Sequence, residues 1–260
     1  MKQFISNIKK YKSYMLYSVK SSLKEDVATS RLNWLWWILN PLMFMLVYTF
    51  VSLVVFGKGE KYFPLFVFLG LNLWNFFSGC VNASVRLVKK NKGTIKKVYL
   101  PKYILIFTTM MEEGFKMCVA FVLVLVMIPL YHVHLTWRII FAIPIVIAHL
   151  VLTYAVCSIM LNLGVYIDDL ANLVSVLLRL MFYMSGIIYN ITKRVPRPYN
   201  KYLLYGNPVA LYMTNMRNCI LYEKTPEMGY MLIWFVLSLI LAVIGTRIIV
   251  KHENSYVKLI

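Results

Sequence analysis

The chain has 260 residues, 60% hydrophobic and only 15% charged, yet 28 Lys and Arg against 10 Asp and Glu give it a formal net charge of +18. In a soluble protein that charge would point to nucleic acid; here the apolar residues gather in runs long enough to cross a bilayer, so nucleic acid drops out and anionic headgroups take its place. The four cysteines stand singly, with neither metal-ligand spacing nor a disulfide framework, and read as small apolar packing residues.

The first element is amphipathic. Phe4, Ile8, Tyr11, Met15, Val19, Leu23 and Val27 recur at three- and four-residue spacing, while Lys2, Lys9, Lys10, Lys20 and Lys24 mostly take other faces. This predicts a helix within residues 1–33 lying in the cytoplasmic headgroup layer, either a plain juxtamembrane anchor or a working part. The segment lacks the uninterrupted apolar stretch of a cleavable signal.

Six apolar runs follow, at about 34–56, 63–85, 104–130, 139–163, 173–191 and 230–250, predicting an all-α integral membrane domain over 34–260. At about 1.5 Å per helical residue each is long enough for a hydrocarbon core of about 30 Å. The first, second and fourth contain no Asp, Glu, Lys or Arg, so no polar face offers a soluble alternative. Seventeen Lys and Arg flank the runs on the side of the termini and nine on the other, which predicts both termini in the cytoplasm.

Within the runs, polar and aromatic residues align. Asn72, Asn75, Gly79, Asn82 and Arg86 share one face of the second; Trp37, Pro41, Phe44 and Tyr48 share one of the first; Ser175, Arg179, Phe182, Gly186 and Tyr189 share one of the fifth. Amides in lipid need partners, so these faces meet protein or water: they either pack helix on helix or line a route where rings stack on sugars and amides bond hydroxyls. Charges inside a span are costly. Glu112 and Lys116 are spaced to pair along the third, Arg179 is offered to Glu113 across helices, and the four read as a buried network, structural or gating.

Among the 11 glycines none belongs to a Gly-x-x-x-x-Gly-Lys-Ser/Thr phosphate loop, and no His-Glu-x-x-His occurs, so neither catalysis nor a metal site is assigned and ATP with its Mg belongs to another polypeptide. The basic loop 89–101 is either a topogenic loop or a lever for such a partner. Asp168 and Asp169, in a 164–172 turn without basic residues, are too few ligands for a metal and are matched to basic partners instead. Because six close-packed helices fill their own centre, a polymer-sized route implies two copies.

Four stretches carry a resemblance: Arg31 to Pro41 with its tryptophans and Asn40-Pro41, Asn91 to Lys102, the region of Tyr189, and the segment from Val195 and Pro196 through Asn207-Pro208 to Arg217. In order and spacing they resemble the membrane subunit of type-2 ABC exporters, specifically the polysaccharide exporters of O-antigen, capsular polymer or teichoic acid. Leu100, where an aromatic is common, Lys102, where Arg is common, and Asp168, where Arg is common, depart from the family pattern. The resemblance implies a permease in the bacterial plasma membrane, a homodimer bound to two ABC ATPase subunits, and a lipid-linked polysaccharide as cargo. It implies ATPase coupling at Glu25, Arg31, Asn91, Lys92, Lys96, Lys97, Tyr99, Pro101 and Asp169. The aromatic and amide faces read from helical spacing would give a translocation path along Trp37, Phe44, Tyr48, Asn72, Asn75, Asn82, Phe182 and Tyr189. Two short re-entrant helices would form an outer gate with Pro196, Tyr205, Asn207, Pro208 and Arg217. The alternatives are a type-2 exporter of a drug or lipid, a membrane-embedded acyl- or glycosyltransferase, for which His149 and the Asp168, Asp169 pair supply too few groups, and a passive channel.

Overall fold

The structure, a computed structural model, describes residues 2–28, 33–55 and 60–259. Every regular element in them is helical: α1 (Lys2–Lys10), α2 (Lys12–Ala28), α3 (Trp36–Phe50), α4 (Phe63–Lys90), α5 (Lys92–Lys97), α6 (Lys102–Leu130), α7 (Ala142–Tyr166), α8 (Leu170–Met184), α9 (Ile191–Arg194), α10 (Tyr199–Gly206), α11 (Pro208–Ile220) and α12 (Met228–Leu259). A π-helical turn, Val51–Val55, extends α3, and a 3-10 turn, Trp137–Phe141, leads into α7.

Five helical segments are long and apolar enough to cross a membrane: Trp36–Val54, Phe63–Lys90, Lys102–Leu130, Trp137–Tyr166 and Met228–Tyr256. They match five of the six predicted runs. The fifth run, expected over 173–191, differs. Its helix α8 is 15 residues long because the chain turns at Gly186, whose φ of +66° suits a residue without a Cβ. Phe182 and Tyr189 therefore stand on opposite sides of a break and share no helical face.

Helix α4 is the hub, packing against α3, α6, α7, α8 and α11. In its most apolar stretch 78% of the residues are buried, against 6% in α3 and 22% in the last span. Small residues allow the close approaches, since lipid gives helices no hydrophobic reason to associate and packing must supply it. Gly164 of α7 lies directly on the Val85 backbone of α4, and Gly245 of α12 lies on Ser158 of α7. Polar bonds fix the register: His149 Nε2 meets the Leu73 carbonyl at 3.0 Å, Tyr154 Oη meets Thr246 Oγ1 at 2.8 Å, and Tyr256 donates to Asn162 at 2.5 Å. Ser84, Thr108, Thr153, Ser185, Ser238 and Thr246 each bond a carbonyl one turn back, so these hydroxyls are satisfied within their own helices.

The N-terminal helices pack alongside α6. Met15 and Val19 are buried and Ile8 and Tyr11 partly so, while Lys9, Lys10, Lys20 and Lys24 are exposed. Asn7 donates to Tyr103 Oη at 2.8 Å and Ser22 to Glu112 at 2.7 Å, so the contact runs along both partners.

Candidate functional site

The most buried of the five spanning segments leaves one face open, and that face is polar. Asn75, Asn82, Ala83 and Arg86 of α4 are exposed and Ser78 and Gly79 half exposed, whereas Trp74, Phe76, Phe77, Val81, Val85 and Leu87 around them are buried. Asn72, assigned to the same stripe, is buried and donates to the Met117 carbonyl at 3.3 Å. An open amide face costs free energy against hydrocarbon, so this surface meets water or another protein. At its end Arg86 joins Val85, Lys89, Lys90, Gly164 and Asp168 in lining a cavity of about 360 Å³.

Beside the stripe lies an aromatic cluster. Tyr48 of α3 sits 6.0 Å from Phe182 of α8 and 6.4 Å from Phe44, and Phe182 meets Trp74 of α4 edge-on at 5.8 Å. Phe44, Tyr48 and Phe182 are thus brought together, joined by Trp74. Trp37 is turned elsewhere, edge-on to Phe115 at 5.5 Å. Tyr189 lies beyond the Gly186 break and donates to the Tyr183 carbonyl at 2.8 Å.

The charged group in the third span assembles differently from its prediction. Lys116 Nζ lies 3.4 Å from Glu112, 3.1 Å from Glu113 and 2.8 Å from Asp26 of α2. Arg179 is exposed on α8 and, among the described residues, has no carboxylate partner, so its proposed pairing with Glu113 is replaced by Lys116 on Glu113's own helix, one turn away. Glu113 also covers Gly79: a Cβ there would come within 2.8 Å of its carboxylate. The chain of contact therefore runs from the N-terminal helix through Lys116 and Glu113 to the open stripe. Asp26 and Lys116 are 40% and 27% exposed, which limits what the pair is worth. A double-mutant cycle of Asp26→Asn and Lys116→Met, read by thermal unfolding in detergent, is expected to give a coupling of about 0.5–1 kcal/mol.

At one end of the bundle gather most residues assigned to coupling. Asn91 caps α4 by donating to the Leu87 carbonyl at 2.8 Å. Lys92, Lys96 and Lys97 are exposed on α5 while Ile95 anchors it, and Tyr99 is exposed beyond an extended Val98. Pro101, at the start of α6, is buried. Lys89 donates to Asp168 at 2.5 Å, and that hydrogen bond holds the Asp168 carboxyl below its ordinary range. Asp169, at the start of α8, and Glu25 are exposed. Arg31 lies outside the described residues.

The other end is held by Arg217. Its Nε donates to the Phe66 carbonyl at 3.0 Å, its two terminal nitrogens to Gly186 and Ile187 at 2.8 and 2.9 Å, and its guanidinium lies 3.5 Å over the Phe66 ring. One buried side chain on α11 thus joins α4 to the end of α8. Asn207 caps α11 through Val209 N–H and Ala210 N–H, with Pro208 at the first helical position. Tyr205 stacks on Tyr230 with ring centroids 3.9 Å apart, and Pro196 is exposed. α11 is buried along most of its length although it joins two apolar helices.

Sequence reasoning missed Asp26, Trp74 and the pair of Lys102 with Glu253, all of which make contacts far apart in the chain, whereas Lys89 of the basic loop meets Asp168 as expected. Among the described residues no group of His, Cys, Asp and Glu side chains is arranged to hold a metal ion. A family model described as ABC-2 type transporter matches residues 15–221. The chain is 24% identical over 256 residues to the O-antigen export system permease protein RfbA of Myxococcus xanthus, covering 98% of each. Two proteins of that description from Klebsiella pneumoniae are 26% and 25% identical, each over 92% of this chain and 91% of the relative.

Proposed function

Since the chain belongs to the ABC-2 type transporter family, we propose that it is the membrane permease of an ATP-driven exporter of a lipid-linked polysaccharide. It is a transport subunit rather than an enzyme, and ATP with Mg is bound by a partner ATPase. The observation that carries the reading is the open amide face of α4 in the middle of an apolar bundle. In a homodimer that face looks across the subunit interface. Asn75 and Asn82 then offer hydrogen bonds to hydroxyls, with Tyr48, Phe44 and Phe182 beside them as stacking surfaces. The nearly full-length similarity to O-antigen export permeases supports polysaccharide over a drug or lipid.

Six crossings follow if α8 is the fifth. Asp168 meets Lys89 at one end of α4, and the Ile187 carbonyl meets Arg217 beside Phe66 at the other. Those positions on α4 are about 35 Å apart at 1.5 Å per residue, so the short helix and its flanks traverse the bundle. Asn7, Lys102, Glu253 and Lys89 share one end, which the basic bias makes cytoplasmic in a bacterial plasma membrane, with both termini there. In this reading residues 1–33 form the interface element and touch anionic lipid, and 34–260 form the transport domain. α5 with Glu25, Arg31, Asn91, Lys92, Lys96, Lys97, Tyr99, Pro101 and Asp169 receives the ATPase. α10 and α11 are the re-entrant outer gate, positioned by Tyr205, Asn207, Pro208 and Arg217 behind Pro196.

The test uses the two-subunit complex in proteoliposomes. Lipid-linked polymer from the host envelope is expected to stimulate ATP hydrolysis. Asn75→Leu with Asn82→Leu is expected to leave the complex assembled and to lower export at least ten-fold. Unchanged export in that variant removes the route from α4. Stimulation by short amphiphiles and not by polymer moves the assignment to a drug or lipid exporter.

A further inference from the structure

The segment joining α5 to α6 is gripped by the far end of the chain. Val98 and Pro101 are extended, with ψ of 135° and 126°, so helical hydrogen bonding stops at Val98 and resumes at Ile104. Leu100 and Pro101 are buried within the segment and Lys102 Nζ lies 5.6 Å over the Tyr99 ring, but these contacts are not directional; Glu253, in the last turns of α12, adds hydrogen bonds at both ends of the joint. Its Oε2 accepts from Tyr99 Oη at 3.2 Å; its Oε1 accepts from the Lys102 backbone N–H at 3.2 Å and lies 3.4 Å from Lys102 Nζ. The two charged side chains are 3% and 10% exposed. One turn further on, Tyr256 is tied to Asn162 of α7. From the opposite side Tyr11 donates to the Tyr99 carbonyl at 3.1 Å.

We propose that Glu253 is a positioning residue for energy coupling: its carboxylate locks the extended Val98–Pro101 segment to α12, so that a push on α5 moves α6, α12 and α7 together instead of bending the joint. The inference rests on reading α5 as the surface that receives the ATPase. A buried ion pair is a poor source of net stability, because desolvation offsets most of its attraction, and an apolar pair of similar size often folds as well or better. What this pair supplies that an apolar pair does not is directional attachment at both ends of the joint, through the Tyr99 hydroxyl and the Lys102 amide. An apolar contact has no such direction and lets the segment slide.

The experiment measures export per ATP hydrolysed by the intact two-subunit complex in proteoliposomes, together with its thermal stability. Glu253→Ala is expected to keep ATP hydrolysis within two-fold of the parent and to lower export per ATP at least five-fold, with Glu253→Gln between them. Lys102→Met with Glu253→Met is expected to recover the melting temperature without recovering export per ATP. Unaltered export per ATP in Glu253→Ala overturns the inference, as does recovery of coupling wherever stability recovers. Lys96→Glu with Lys97→Glu tests the underlying reading separately. If that variant captures the ATPase normally, the reading of α5 falls; if capture is lost while Glu253→Ala stays coupled, only the role of Glu253 falls.

Discussion

Replacing Arg217 with Met is expected to destabilise the detergent-solubilised protein by about 3–5 kcal/mol, since each buried carbonyl left without its donor costs about 1–3 kcal/mol. The guanidinium is the donor for three main-chain carbonyls at once, on Phe66, Gly186 and Ile187, and two of these lie where α8 has ended and no helical N–H can replace it. Met fills much of the volume but donates nothing, so all three acceptors lose a strong bond in a site with 3% exposure. Arg217→Lys keeps the charge yet cannot span three carbonyls with a planar fork, and is expected to recover less than half of the loss. The guanidinium also presses on Gly70, where a Cβ would overlap its terminal nitrogen, so Gly70→Ala is expected to disturb the same bracket. Thermal unfolding of the purified permease with each substitution checks these expectations. A shift no larger than that of an exposed substitution such as Lys201→Met would show that the bracket contributes nothing.

The second large effect is expected at Gly164. A Cβ there overlaps the Val85 carbonyl oxygen and stands 2.7 Å from its carbon and 3.0 Å from its Cα. These are backbone atoms of the hub helix, so no side-chain rotation relieves the clash and α7 must move away from α4. Gly164→Ala is expected to cost about 2–4 kcal/mol, reaching past the usual upper end for overpacking. Gly245→Ala meets Ser158 Oγ, which can rotate only by giving up its bond to the Ala155 carbonyl, and Ser158 Cβ at 2.8 Å, which rotation cannot move, so it is expected to be destabilising as well. Gly114→Ala supplies the control: its nearest neighbour would be the Phe76 ring at 3.8 Å, an ordinary contact. In the middle of α6 that change is expected to be neutral or to stabilise by up to about 1 kcal/mol, from helix propensity alone. Equal losses at Gly164 and Gly114 would mean that the α4 and α7 contact is looser than the geometry requires.

What the chain makes legible is whatever repeats at short range. Five of the six apolar runs long enough to span lipid follow from composition and helix period, which act within a turn or two. So does the bonding of Lys116 to Glu112, fixed by a spacing of four residues on one helix. The fifth run shows the limit of that logic. Its composition favours a helix to residue 191, but Gly186 adopts a positive φ, and Arg217, some thirty residues on, takes up the carbonyls the broken helix releases. In the same way Asp26, not Arg179, completed the Lys116 network, and Glu253 met Lys102 across 151 positions. Asn72 and Asn75 differ by one turn in sequence, yet one is buried on Met117 and the other open, because neighbouring helices cover only part of the stripe. Periodicity sets which face a helix has; packing decides which neighbour that face meets, since the free energy of a polar group in lipid depends on its partner and not on its place in the chain.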